Sequence, residues 1–227
     1  INKRIDELSE IGTLASLREI KQERVNGAKI MARMEDKINK LIEILADYKK
    51  SHHMLIYCGA TKMAAYEYED NADADNTVEM EKMVDHVIKR IDNECGLYTR
   101  RFTYEVDLKD RVRIINDFTE KKLQALVAIR CLDEGVNIPN IRTAFILSSG
   151  ENPKEYVQRR GRVLRLADEK EYAEIFDFIA LPISSSPTHY RAYNDEMDLR
   201  LAARELKRVY EFANLSQNKE ESDKLIK

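Results

Sequence analysis

Apolar residues recur along the chain in two rhythms, one helical and one nearly continuous, and the two alternate. Residues 1–34 are charged and mostly helical in pattern, with Gly12 and Gly27 as breaks, and predict helices in a linker. From Glu35 to Tyr48, Ile38, Leu41, Ile42 and Leu45 stand at i, i+3, i+4 and i+7, the spacing of one helical face. Met54–Cys58 (MLIYC) is almost wholly apolar and predicts a strand covered on both sides, ending in the turn Gly59, Ala60, Thr61. Residues 62–76 are acidic and irregular and predict a loop. Asn76, with Glu79 three residues on, predicts the N-cap of a helix bearing Met80, Val84, Val87, Ile88 and Ile91 on one face and stopped by Gly96. Strand character follows at Thr99–Tyr104, ending at Thr103, then a helix over Asp110–Phe118 with Val112, Ile115 and Phe118 inward.

Leu123–Ile129 is another continuous apolar strand, followed by a polar turn with Asp133, Glu134, Gly135 and Asn137 that Pro139 closes. Arg142–Leu147 predicts the next strand. Asn152 as cap, Pro153 at the first helical position and Glu155 at the third mark a helix start. Ala173–Ile179 is a last strand, ended by Pro182. Leu199, Ala202, Ala203, Leu206, Val209 and Ala213 form the stripe of a tail helix, and fraying is expected after Ser216.

Strands alternating with helices predict an α/β domain with a parallel sheet and helices on both sides. Ligands of such sheets sit beyond the carboxyl ends of the strands. The turns at 59–61, 103–107, 130–139 and 148–152 are therefore expected on one edge.

At 227 residues the chain is long enough for a real core without disulfides. Its net charge of −3 confines any nucleic-acid site to a local patch. Residues 62–96 hold ten acidic side chains against four basic ones, which places that face away from phosphates. Cys58, Cys95 and Cys131 are widely spaced, with no CxxC; Cys58 and Cys131 lie in apolar runs and suit buried thiols in a reducing cytoplasm, and four scattered histidines argue against a metal site. No apolar run reaches the ~18 residues of a membrane span. The first residue is Ile1, which suggests a segment excised from a longer protein.

The sharpest candidate chemistry follows Pro153. Gln158, Arg162 and Arg165 are spaced i, i+4, i+7 on the predicted helix, beside Gly161, where a backbone or ligand can approach closely. Planar guanidiniums in such a stripe suit phosphate oxygens, although a solvated arginine face or a dock for an acidic partner has the same pattern. Asp133 and Glu134 fit a carboxylate pair for acid–base or metal work, or a solvated turn. Gly135 permits close approach, and Asn137 offers a donor and an acceptor.

ALVAIRCLDEGVNIP followed by EYVQRRGRVLR resembles motifs V and VI of superfamily 2 helicases in order and spacing. LIYCGAT resembles motif IV. RRFTYEVDLKDRVRIINDF resembles the stretch in which a Thr follows a strand and an Arg opens the next helix, here Thr103 and Arg111. FDFIALP resembles the closing strand, and the likeness covers about residues 35–182.

The resemblance implies the C-terminal RecA-like domain of such an enzyme, a three-layer fold of the P-loop NTPase kind with helical extensions. The implied division is a helical linker at 1–34, the RecA-like domain at 35–182 and a helical extension at 183–227. Arg162 and Arg165 match the arginines that reach and sense the γ-phosphate, and Gln158 matches the residue supporting the nucleotide. Gly135 matches the motif V glycine. Asn137 stands where Asp is commonest, keeping the hydrogen bonds but losing the charge. Gly59, Thr61 and Thr103 match turns that track a nucleic-acid strand. Ile129 replaces a phosphate-contacting Thr or Ser, leaving that contact to Arg130. No GxxxxGK[ST] loop and no DExH or DEAD sequence occurs in this chain. In the family, those belong to the first RecA-like domain, which holds ATP and Mg2+. The expected partners are thus that N-terminal domain and nucleic acid, DNA ahead of RNA. The expected whole is an ATP-dependent helicase or translocase, this fragment alone being inactive. A translocase subunit of a restriction or phage-defence complex, and a non-catalytic binding or interaction module, are the alternatives.

Overall fold

The computed structural model describes residues 34–58, 74–103, 105–129, 138, 141–147, 161, 163, 165, 170–179, 203, 206, 207 and 209–226. Five strands form one sheet: β1 (Met54–Tyr57), β2 (Thr99–Phe102), β3 (Ala125–Ala128), β4 (Thr143–Ile146) and β5 (Glu174–Asp177), in the order β2-β3-β1-β4-β5. β1 runs parallel to β3 and to β4, and β2 runs parallel to β3. Every residue of β1, β3 and β4 is buried, as expected of strands covered on both faces.

The covering layers follow from the connections. The helix Ala74–Cys95 carries the chain from β1 two strands across to β2, and the helix Leu108–Thr119 brings it back by one to β3. Right-handed crossovers in opposite directions put those helices on opposite faces. The first helix, 34–45, continues into a 3-10 turn at Ala46–Tyr48. It lies beside Ala74–Cys95. Arg90 binds Glu35, Glu94 and Asn39, His86 Nε2 is 3.0 Å from Glu35 Oε2, and the Cys95 thiol faces the Ile42 carbonyl at 3.8 Å.

The predicted stripes mostly hold. Ile38, Leu41 and Leu45 are fully buried, with Ile42 half-buried, and Val84, Val87 and Ile91 are fully buried, with Ile88 half-buried. Gly96 ends its helix at φ +66, its N–H reaching the Ile91 and Asp92 carbonyls at 3.2 Å.

Four expectations need correction. Asn76 lies inside the helix and not at its cap, because the helical segment already includes Ala74. Residues 74–76 are accordingly helix, while 62–73 lie outside the described residues. Val112 points outward, 60% exposed. The spacing 112, 115, 118 turns about 120° around a helix, so it cannot hold one face. The inward face is Arg111, Ile114, Ile115 and Phe118, at i, i+3, i+4 and i+7, and the helix starts at Leu108 behind Asp107 as N-cap. Ala203 is helical but exposed, whereas Ala213 is buried. The frayed end expected after Ser216 contains a helix, Lys219–Ile226. Glu220 and Glu221 in its first turn and Lys224 in its last complement the helix dipole. Residues Ile1–Phe176 and Asp177–Lys227 form two compact units.

Two buried polar side chains organise the amino edge of the sheet. Gln124 donates to the Lys49 and Ser51 carbonyls at 2.7 and 3.1 Å and accepts from the Tyr98 N–H at 3.2 Å. It thereby ties together the segments entering β1, β2 and β3. His53 sits at φ 61 with its ring edge-on to Phe118, 5.3 Å between centroids. Burial, with Arg142, Lys121 and His52 adding positive charge, lowers its pKa, against the opposing effect of a backbone hydrogen bond at Thr119. The folded state therefore favours neutral His53. Its stability contribution is full above the unfolded value of about 6.5 and is lost as pH falls through the lower folded value. The melting temperature should fall between pH 7 and pH 5 more steeply than in a His53→Asn variant, since Asn tolerates this backbone conformation. Equal falls in both would assign the loss to other groups.

Candidate nucleic-acid and phosphate interface

The strand register brings the predicted edge together. Tyr57 is opposite both Ala128 and Ile146, and Phe102 is opposite Ala128. The ends of four strands thus form one row. Cys58 N–H continues it to the Ala128 carbonyl, and Leu147 N–H to the Tyr57 carbonyl, each at 3.0 Å. Cys58, Thr103, Ile129 and Leu147, the residues just past the four strands, are all buried, so the chain leaves a closed apolar floor before each turn. Burial pushes the Cys58 thiol up to about 12, which keeps it protonated and inert.

Thr103 is the predicted contact residue that the structure describes on this row. It is 1% exposed, and its Oγ1 has no hydrogen-bond partner among the described residues. A buried hydroxyl without a partner is uncommon and costs free energy. The turn after it is braced from the next helix. Arg111 donates from Nε to the Val106 carbonyl at 2.8 Å and from a terminal nitrogen to the Thr103 carbonyl at 3.3 Å. The Asp107 carboxylate accepts from the Asp110 N–H at 2.8 Å and caps that helix. The sequence placed Arg111 at the helix start but did not show that its guanidinium holds the backbone of the Thr103 turn.

The arginine segment is seen at three points. Gly161 and Val163 are helical, Val163 with 1% exposure, and Arg165 is exposed. Arg165 lies outside the regular helix, which corrects the expected i, i+4, i+7 stripe at its third member. Its carbonyl accepts from Lys170 Nζ at 2.9 Å, and the Val163 carbonyl accepts from the same ammonium, the kind of lysine contact that closes a helix end. Among the described residues, nothing lies within 4 Å of a Cβ built at Gly161. Gly59, Thr61, Arg130, Gly135, Asn137, Gln158 and Arg162 lie outside the described residues, as do Asp133, Glu134 and Cys131. Among the described residues, no group of three His, Cys, Asp or Glu side chains could hold a metal ion, and no helix is long and apolar enough to cross a membrane.

Comparison with known proteins gives this arrangement its context. Residues 36–167 match the model of the helicase conserved C-terminal domain. The chain is 26% identical over 141 residues to the DNA 3'-5' translocase XPB2 of Sulfurisphaera tokodaii, covering 62% of this chain and 26% of that protein. It is 35% identical over 71 residues to the ATP-dependent RNA helicase RhlB of Hamiltonella defensa, covering 31% and 17%. Among solved structures, the yeast DEAD-box splicing factor Prp28 matches with a TM-score of 0.50 at 18% identity, over 74% of this chain and 31% of that one. The chain thus spans about a quarter or less of the curated relatives' length.

Proposed function

The chain belongs to the helicase conserved C-terminal domain family of superfamily 2 and has that family's RecA-like α/β fold. From this premise we propose that it is the second motor domain of an ATP-dependent nucleic-acid helicase or translocase. In this reading its strand-end edge holds a nucleic-acid strand, and its arginine segment serves an ATP site completed by another RecA-like domain. The observation that carries the reading is the Thr103 turn. The ends of β1, β2, β3 and β4 stand in one register, and Arg111 braces the backbone of the turn that follows Thr103.

The described residues fit a divided role toward ATP and Mg2+. The exposed Arg165 suits phosphate oxygens, and the chemistry of metal coordination falls to the partner domain. Bound ATP supplies a phosphoanhydride whose terminal phosphoryl gains charge toward its oxygens during transfer. Arg162 and Arg165 then act from outside the phosphate-binding loop, as fingers that stabilise that charge only when the two domains close. Gln158, Gly135 and Asn137 support the nucleotide and the finger network in the same reading. Gly59, Thr61 and Arg130 join Thr103 along the strand. Closure favoured by ATP and opening after hydrolysis move these contacts relative to the other domain, and repetition gives translocation. DNA is the proposed substrate, in line with the match to the DNA 3'-5' translocase XPB2.

Thr103→Val tests the strand edge. Removing an unpaired buried hydroxyl in favour of a methyl should leave stability unchanged or raise it by up to about 1 kcal/mol. Single-strand affinity of the two-domain protein should fall about 3- to 10-fold, the worth of one hydrogen bond. Fluorescence anisotropy with labelled DNA and RNA reads the second effect, and chemical denaturation reads the first. Raised stability with unaltered affinity for both would remove Thr103 from the interface.

A further inference from the structure

Lys170 lies four residues before β5, and its ammonium reaches back along the chain. It donates to the carbonyls of Val163 and Arg165, the second at 2.9 Å. These carbonyls bracket the point where the arginine segment leaves its helix, since Val163 is helical and Arg165 is not. The last carbonyls of a helix lack partners within it, and a lysine supplies charge-assisted bonds there while meeting the negative pole. The buried Val163 side chain anchors the same turn by packing. Lys170 is half-buried. Burial, then Arg142, lowers its pKa, so the site disfavours a cation that the two carbonyls nevertheless hold.

We propose that Lys170 is a positioning residue for the arginine segment: by pinning the Val163 and Arg165 carbonyls, it fixes the backbone from which Arg165 is presented to a phosphate. The inference rests on the reading of Arg165 given above. It adds that the geometry of the finger is set from outside the motif by a residue on the way into β5. A group that acts mainly in the transition state loses kcat when it is misplaced, with little change in ground-state binding.

In the two-domain protein, Lys170→Met should lower the kcat of ATP hydrolysis about tenfold and leave KM for ATP within about twofold, and Lys170→Arg should recover most of the loss. Lys170→Met added to Arg165→Ala should cost little beyond Arg165→Ala alone, because the two act through one contact. In the 227-residue chain, 15N relaxation at the Arg165 amide should change from rigid to flexible in Lys170→Met and return in Lys170→Arg. An unchanged amide, or a Lys170→Met loss that multiplies fully with Arg165→Ala, would overturn the proposal. If Arg165→Ala alone leaves hydrolysis intact, the phosphate role of Arg165 fails. The amide measurement needs no ATP and still decides whether Lys170 holds the segment.

Discussion

Replacing Arg162 or Arg165 with Ala is expected to lower nucleic-acid-stimulated ATP hydrolysis about a thousandfold, with the fold retained. An arginine that meets a transferring phosphoryl group from across a domain cleft contributes mainly in the transition state, so the loss should fall on kcat. Arg165 is exposed, and retention of the fold in its variant is read by thermal melts. Its bond to Lys170 is made by the backbone carbonyl and does not need the guanidinium. Steady-state kinetics of the two-domain protein, with thermal melts beside them, separate the two quantities. Full hydrolysis in both variants would show that the segment is a solvated or docking arginine face.

The second large effect concerns the core. Phe145→Ala should destabilise the chain by about 3–5 kcal/mol, the cost of emptying a fully packed aromatic site. Phe145 is 0% exposed on β4, stacked on Phe176 of β5 at 5.1 Å and 11°, and met edge-on by Tyr48 at 5.6 Å. Tyr48 also meets Phe176, at 5.8 Å, and donates its hydroxyl to Glu174 at 3.1 Å. Burial and that carboxylate push its pKa up to about 12, so the phenol stays a donor. The cluster joins β4 to β5, the two strands that flank the arginine segment in the chain. Denaturant unfolding measures the loss, with Tyr98→Ala, 71% exposed, as a control expected within about 0.5 kcal/mol. A cost below about 1 kcal/mol for Phe145→Ala would mean that the cavity collapses freely.

Much of this fold was legible because burial writes itself into the sequence. MLIYC, ALVAI and AFIL are continuous apolar runs, and they lie in three of the parallel strands. Patterns with a true i, i+3, i+4, i+7 spacing, such as Ile38 to Leu45, were placed on the correct face. Val112, Ile115 and Phe118 lack that spacing, and the reading failed there for that reason. Strand order was not legible, since β1 pairs with β3 and β4 through contacts that no local pattern encodes. The site was legible only in part. Thr103 could be singled out by its likeness to a family motif, but the absence of a partner for its hydroxyl is a three-dimensional fact. Arg111, Gln124 and Lys170 act through backbone carbonyls, and nothing in a residue's identity announces which carbonyl it will meet. Even the helix at Lys219–Ile226 was hidden, because its support is charge at its ends and not an apolar stripe.

If this chain completes an ATP site that it cannot form alone, hydrolysis must depend on a second RecA-like domain. The most direct measurement is ATP hydrolysis by the 227-residue chain and by the same chain joined to a RecA-like domain carrying a phosphate-binding loop, each with and without DNA or RNA. The expected result is background hydrolysis by the chain alone and nucleic-acid-stimulated hydrolysis by the joined protein. Hydrolysis by the chain alone at the rate of the joined protein, or a joined protein indifferent to nucleic acid, would contradict it.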